Sequence, residues 1–528
     1  MSTVIFGVDG LTFRILHPMM ERGELPNFQR LKQEGCEGVL ESKYPPLTPP
    51  AWISLSTGLR PAGHGVYDFW EYEDEELPEQ GTTRKARVQT HRKGGKAIWN
   101  ILSEYGKRVL VLNVPMTYPP EPVNGIMISG YMTPSSEVNF TYPSDFKEEL
   151  LHIVPNYEID LDLSKIYTGN VDERKDRLIN ATLRMTKERI KLLDYLLAKQ
   201  SWDFCYVAFV GPDRLQHPLW KNIIAMEQHA TAYYRLLDAA LGKMLDQLGP
   251  DDSLFVVSDH GFQGATTVFD INEYLHSKGL LVLSSSHERK VEQASRHSSL
   301  KYRLKQMGLL SLVRRVKKSL TSVGIVGTPL VATDKPQLTD IDWKQTLAYV
   351  PSYSGYGGGF ADVFLSDKLG ADRLAELCAD LKRLVHPKTG RPLVDALYTT
   401  EVYGTGSFAP REPHLIILPT DGITFRMNLG NRRFWDEASK MRGTHQKDGV
   451  LYAYGKRIKP GFQAPNAEIY DLVPTVLQSM GLPLPHAFDG RVLHELFIEN
   501  QQQDTASVQE ANATQSITRR KLKKLLEV

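Results

Sequence analysis

Short stretches in which apolar residues follow one another without alternation recur along the chain: Val4 to Val8, Val109 to Leu112, Phe204 to Val210, Leu254 to Val257, Leu415 to Leu418 and Leu451 to Tyr454. A strand with one wet face alternates apolar and polar residues, whereas a strand apolar at every position is covered on both faces. Longer amphipathic stretches lie between these runs. Lys96 to Tyr105, Arg174 to Lys199, with apolar residues at three- and four-residue spacing, and Ala225 to Leu248 read as helices. Asp471 to Met480, closed by Gly481 and Pro483, adds a short late helix. The alternation predicts an α/β fold of three αβα layers, with a mostly parallel central sheet between helices.

Two segments break the pattern. From about His287 to Lys335 the chain becomes basic, with ten Lys/Arg against two Glu between Glu288 and Lys318, and reads as an inserted amphipathic helical segment. Such a helix covers a domain edge in the plainer reading and touches an anionic membrane surface or an acidic partner in the sharper one. Residues 498–528 turn to Gln, Asn, Ser and Thr and end in a basic cluster, which reads as a flexible tail with a short basic helix. The catalytic domain is then expected to comprise residues 1–286 and 336–497.

Charge narrows the field of partners, since 63 basic against 62 acidic residues leave a net +1 and no overall electrostatic footprint for nucleic acid. Cys36, Cys205 and Cys378 are scattered and odd in number, which suggests neither a disulfide framework nor a thiolate zinc site. The N-terminus reads as a strand rather than a signal peptide, and no apolar stretch approaches the roughly 20 residues of a membrane span. A cytoplasmic protein is expected.

Three of the expected strands lead into aspartates: Val8 into Asp9, Val210 through Gly211-Pro212 into Asp213, and Val257 through Ser258 into Asp259. Ligands of open α/β sheets bind beyond the carboxyl ends of the strands, so these carboxylates are expected in one crevice. One such Asp, alone, more often caps a helix. Histidines shift the balance. Asp213 and His217 are four residues apart and share a face if their segment is helical, Asp259-His260 forms a second pair, and His445 is placed in a loop before the strand at Leu451. Carboxylate and imidazole together suit a divalent metal such as zinc. Thr48, in Leu47-Thr-Pro-Pro-Ala51, is flanked by prolines and precedes a helix expected from Ala51 onward, whose free N–H groups would face an anion. It reads as a nucleophile or, more plainly, as a helix cap.

Taken together, Asp9-Gly10, Thr48 with Thr57-Gly58 and Gly63-His64-Gly65, Gly211-Pro212-Asp213 with His217, Asp259-His260-Gly261 and Gly443-Thr444-His445 resemble the type I phosphodiesterase and nucleotide pyrophosphatase branch of the alkaline phosphatase superfamily. The resemblance covers residues 1 to about 497 apart from the insertion. It implies an alkaline-phosphatase-type sheet and two divalent ions, zinc or alternatively manganese. One is held by Asp213, His217 and His445, the other by Asp9, Asp259, His260 and the Thr48 oxygen.

Val66 to Trp70 lacks the asparagine through which nucleotide pyrophosphatases contact the phosphoryl group, and Thr48-Pro-Pro-Ala-Trp52 lacks the formylglycine setting of sulfatases. The expected activity is hydrolysis of phosphate esters, diesters first, through a phosphothreonine at Thr48. The substrate is expected to be a small-molecule, glycan or lipid phosphate ester, with peripheral membrane contact through residues 288–318. Phosphoryl transfer to another acceptor, or phosphomonoester chemistry, is the enzymatic alternative. A silent binding protein is the non-enzymatic one, and it has no physical need for two charged, metal-hungry sites.

Overall fold

Thr3–Val8, buried at every position, is the strand around which the central sheet is built. It pairs in parallel with Phe204–Phe209 on one side, Thr3 facing Phe204 and Val8 facing Phe209, and with Ser253–Val257 on the other. The computed structural model describes residues 3–498 except 43–45, 73–85, 89, 93, 169, 285–340, 352–358, 409–413, 430–433 and 486. The basic insertion and the polar tail from residue 499 onward therefore lie outside the described residues. One compact unit spans Met1–Leu496; the second, Phe497–Val528, is described only at its first two residues.

In order, the sheet runs Phe462–Gln463, Cys36–Glu41, Asp448–Gly455, Ser253–Val257, Thr3–Val8, Phe204–Phe209, Val109–Leu112, Gly125–Ile128 and Thr141–Tyr142, with Ala467–Glu468 also pairing to Cys36–Glu41. Every pairing from Ser253–Val257 to Gly125–Ile128 is parallel. Val4, Phe6 and Val8 pack under the helices Phe13–Glu21, Val171–Lys199 and Gln228–Gln247. On the opposite face lie Thr48–Thr57 and Ile98–Glu104, whose Trp52 and Trp99 rings meet Tyr206. This is the three-layer arrangement. Gly7 permits it, because a Cβ there would come within 2.7 Å of the Trp52 ring. Val171–Lys199 is the longest described helix. Asn170 caps it by accepting from the Glu173 N–H at 2.9 Å, with Asp172 and Glu173 at its positive end and Lys199 at its negative end.

Two of the continuous apolar runs are strands, but not parallel members of the central sheet. Leu451 to Tyr454 falls in Asp448–Gly455, antiparallel to both neighbours, and burial on both faces looks the same in either direction. Leu415 to Leu418 falls in Leu415–Pro419, within a separate antiparallel sheet ordered Ala348–Tyr349, Ala361–Leu365, Leu415–Pro419, Val394–Thr399. That strand is apolar at every position because Leu415 and Ile417 enter one cluster, with Phe269, Leu377 and Leu381, while Ile416 and Leu418 enter another, with Leu47 and Tyr403. Ile417→Ala should lower stability by about 2–5 kcal/mol in a urea titration. A loss under about 1 kcal/mol would mean that this second sheet is not cooperatively coupled to the core.

Candidate active site

Because Ser253–Val257, Thr3–Val8 and Phe204–Phe209 are adjacent and parallel, the aspartates that follow them emerge at one edge of the sheet. The Asp9 N–H donates to the Phe209 carbonyl at 3.0 Å, which ties the two strand ends together. Gly211–Ile224 is helical from the turn after its strand, so Asp213 and His217 share a face, His217 Nε2 lying 3.2 Å from Asp213 Oδ1. His260 directly precedes the strand Gly261–Asp270. His445 is not in a loop: it belongs to Trp435–Gln446, antiparallel to Gly261–Asp270, and sits opposite Phe262. That pairing carries His445 into the crevice, where its ring stacks on His260 at a centroid distance of 3.7 Å. The six residues form two groups, Asp213, His217 and His445, and Asp9, Asp259 and His260, each able to offer ligand atoms within 4.8 Å of one another.

All three imidazoles are oriented the same way. Nδ1 of His217 faces the Gly443 carbonyl at 3.2 Å, Nδ1 of His260 the Gly261 carbonyl at 3.1 Å, and Nδ1 of His445 the Pro46 carbonyl at 2.9 Å. A carbonyl only accepts, so each Nδ1 carries the proton and each Nε2 turns a lone pair inward. His445 Nε2 then lies 3.1 Å from both Asp213 Oδ1 and His217 Nε2, and His260 Nε2 lies 3.3 Å from Asp259 Oδ2.

The carboxylates are half-held. Trp52 Nε1 donates to Asp9 Oδ2 at 3.3 Å and the Gly10 N–H donates to Asp259 Oδ1 at 3.1 Å, while the buried Asp9 Oδ1 and Asp259 Oδ2 have no hydrogen-bond partner among the described residues. Burial, with the neighbouring carboxylates, pushes Asp9 and Asp259 well above the ordinary range. Asp213 is equally buried, but the Arg214 guanidinium beside it holds it well below. Burial depresses His445 and, further, His260, so both stay neutral. Inward lone pairs and orphaned carboxylate oxygens, with no donor between them among the described residues, are a donor set that fits divalent cations.

Thr48 is the first residue of the helix Thr48–Thr57, three residues before the expected start. Leu47 holds the N-cap position and no side chain caps the helix, so Thr48 is not a cap. Its Oγ1 lies 3.5 Å from His260 Nε2 and is buried. The expected row of free N–H groups is not there. Pro49 and Pro50 have none and Ala51 donates to the Leu47 carbonyl, which leaves at most the Thr48 N–H for an anion. Sequence reasoning missed the residues that hold the carboxylates, Trp52 and Arg214; adjacency to Asp213 was the one local signal for Arg214.

A mostly parallel αβα sheet with a histidine- and aspartate-lined crevice at its carboxyl edge is the arrangement expected from the resemblance to the alkaline phosphatase superfamily. The type I phosphodiesterase / nucleotide pyrophosphatase family profile matches residues 3–337, and the chain belongs to that family: it is a metal-dependent phosphoester hydrolase. Its fold is similar to that of phosphonoacetate hydrolase from Sinorhizobium meliloti 1021 in complex with phosphonoformate, with 16% identity over 91% of this chain and 95% of that one and a TM-score of 0.52. Murine ectonucleotide pyrophosphatase / phosphodiesterase 5 in complex with AMP is also similar, with 13% identity, 94% and 100% coverage and a TM-score of 0.49. No curated protein matches the chain significantly.

Proposed function

We propose that the chain hydrolyses small-molecule phosphodiesters through a covalent phosphothreonine at Thr48, with Asp213, His217 and His445 holding one divalent cation and Asp9, Asp259, His260 and the Thr48 oxygen a second. The observation that carries this reading is the buried Thr48 hydroxyl at the edge of the Asp9 cluster, with the Asp9 and Asp259 orphaned oxygens in the same cluster. Two such cations, when bound, supply positive charge against a transferring phosphoryl group and acidify the oxygens they touch.

The protein's own part is positioning. Helix Thr48–Thr57 fixes the hydroxyl, since Pro49 and Pro50 restrict the first turn and Trp52 anchors it against Gly7. Thr48 Oγ attacks phosphorus as the bond to the leaving alkoxide breaks on the far side, and that oxygen departs with the electron pair. Water then attacks the same phosphorus and frees Thr48 Oγ, so that one alcohol and one phosphate monoester are released per water consumed. The Nδ1–H bonds to carbonyls keep the three rings from rotating between steps.

A panel of aryl phosphodiesters, aryl phosphate monoesters and nucleotide esters, assayed with added zinc and with manganese, tests the substrate class. Diesters should turn over fastest, by at least about tenfold in kcat/KM, which is about 1.4 kcal/mol of differential transition-state binding. Faster monoester turnover would replace the diester assignment, and silence across the panel would end the hydrolytic reading.

A further inference from the structure

The three crevice aspartates are not held alike. Asp9 and Asp259 each take one neutral N–H, from Trp52 and Gly10, whereas Asp213 is gripped by a cation. Arg214 Nη1 donates to Asp213 Oδ2 at 3.0 Å, and its Nε and Nη2 donate to the two oxygens of Asp160 at 3.1 and 2.8 Å. The Tyr131 ring covers the guanidinium at 4.2 Å. Asp160 is itself held in place from behind. Buried Arg189 donates to the Ile159 carbonyl at 3.0 Å and to the Ala208 carbonyl at 2.9 Å, which ties the segment carrying Asp160 to the strand that leads into Asp213.

The consequence is geometric. Asp213 Oδ2 is occupied by Arg214, so Oδ1 alone faces His217 Nε2 at 3.2 Å and His445 Nε2 at 3.1 Å. The planar guanidinium fixes these three bonds at set angles, Nε and Nη2 to Asp160 and Nη1 to Asp213, whereas an ammonium on a flexible stem fixes no such angles.

Resting on the metal-binding reading above, we propose that Arg214, aligned by Asp160, is a positioning residue that restricts Asp213 to a single ligand oxygen and so sets the cation affinity of the Asp213, His217 and His445 cluster independently of the other cluster. Removing the clamp lets the Asp213 carboxylate rotate, and the cluster loses its preorganised donor geometry. The Asp9, Asp259 and His260 cluster keeps its own neutral donors.

The test is a zinc titration of the full chain against a competing chromogenic chelator, which reads affinity without turnover. Wild type should show two binding steps. Arg214→Lys, which keeps the charge and loses the fork, and Asp160→Asn, which is nearly isosteric and spares Arg214, should each weaken one step by about 10- to 100-fold and leave the other in place. Equal weakening of both steps, or two wild-type steps in both variants, would overturn the clamp and leave the metal reading standing. A wild type that takes up no zinc would overturn the metal reading itself, and the clamp with it.

Discussion

Thr48→Ala should fold, bind metal and lose turnover by about 10³-fold or more, because no covalent intermediate forms without the hydroxyl. The competing view of Thr48 as a helix cap forecasts a stability loss of about 0.5–2 kcal/mol with the rate nearly unchanged. In the structure Leu47, not Thr48, holds the N-cap position, and Thr48 Oγ1 lies 3.5 Å from His260 Nε2. Thr48→Ser should retain a measurable share of the rate, as the hydroxyl survives and only the methyl that restricts its rotamer is lost. Rapid acid quench with a labelled substrate should recover a phosphorylated peptide containing Thr48. Wild-type turnover in Thr48→Ala would sink the nucleophile assignment.

Metal removal should have the next largest effect, on both rate and stability. Stripping with a chelator should bring turnover below about a hundredth of its starting value, with recovery on adding zinc or manganese. Stability should follow in a pH-dependent way. Asp9 and Asp259 have folded-state values raised by burial, so what they contribute is complete below the ordinary carboxylate range and is lost as the pH rises through the raised values. Asp213 is lowered, and its contribution is already complete above about pH 5. The metal-free protein should therefore be less stable at about pH 8 than at about pH 5, and a bound cation, which replaces the missing proton, should offset that loss. At free metal about 100 times its Kd, binding should contribute about 3 kcal/mol. Calorimetry with and without chelator at the two pH values reads this directly; a gap between midpoints no wider at the higher pH refutes it.

The clearest signals in the chain were local ones. An uninterrupted apolar run ending in aspartate needs no partner to be recognised, and Val8-Asp9 and Val257-Ser258-Asp259 stand in the structure at the strand ends where the runs placed them. Asp213 and His217, four residues apart, required only that their segment be helical, and it is. Other features depend on contacts between distant segments, which no periodicity encodes. Strand direction is one: Leu451 to Tyr454 is as apolar running antiparallel as it would be running parallel. Sheet membership is another, since Leu415 to Leu418 is buried on both faces by two separate clusters rather than by two layers of helices.

Local pattern marked the strand ends that lead into Asp9, Asp213 and Asp259 and the helical spacing of His217, and the resemblance to a known family added His445 and Thr48 to the inventory of the crevice. How they are aimed was decided only by the tertiary structure. The carbonyls of Gly443, Gly261 and Pro46 orient the rings, the pairing of Trp435–Gln446 with Gly261–Asp270 delivers His445, and Asp160 reaches Arg214 across 54 residues of chain. The physical reason is that a side chain's identity belongs to the chain, whereas its orientation is set by whichever backbone and neighbouring groups the fold brings against it.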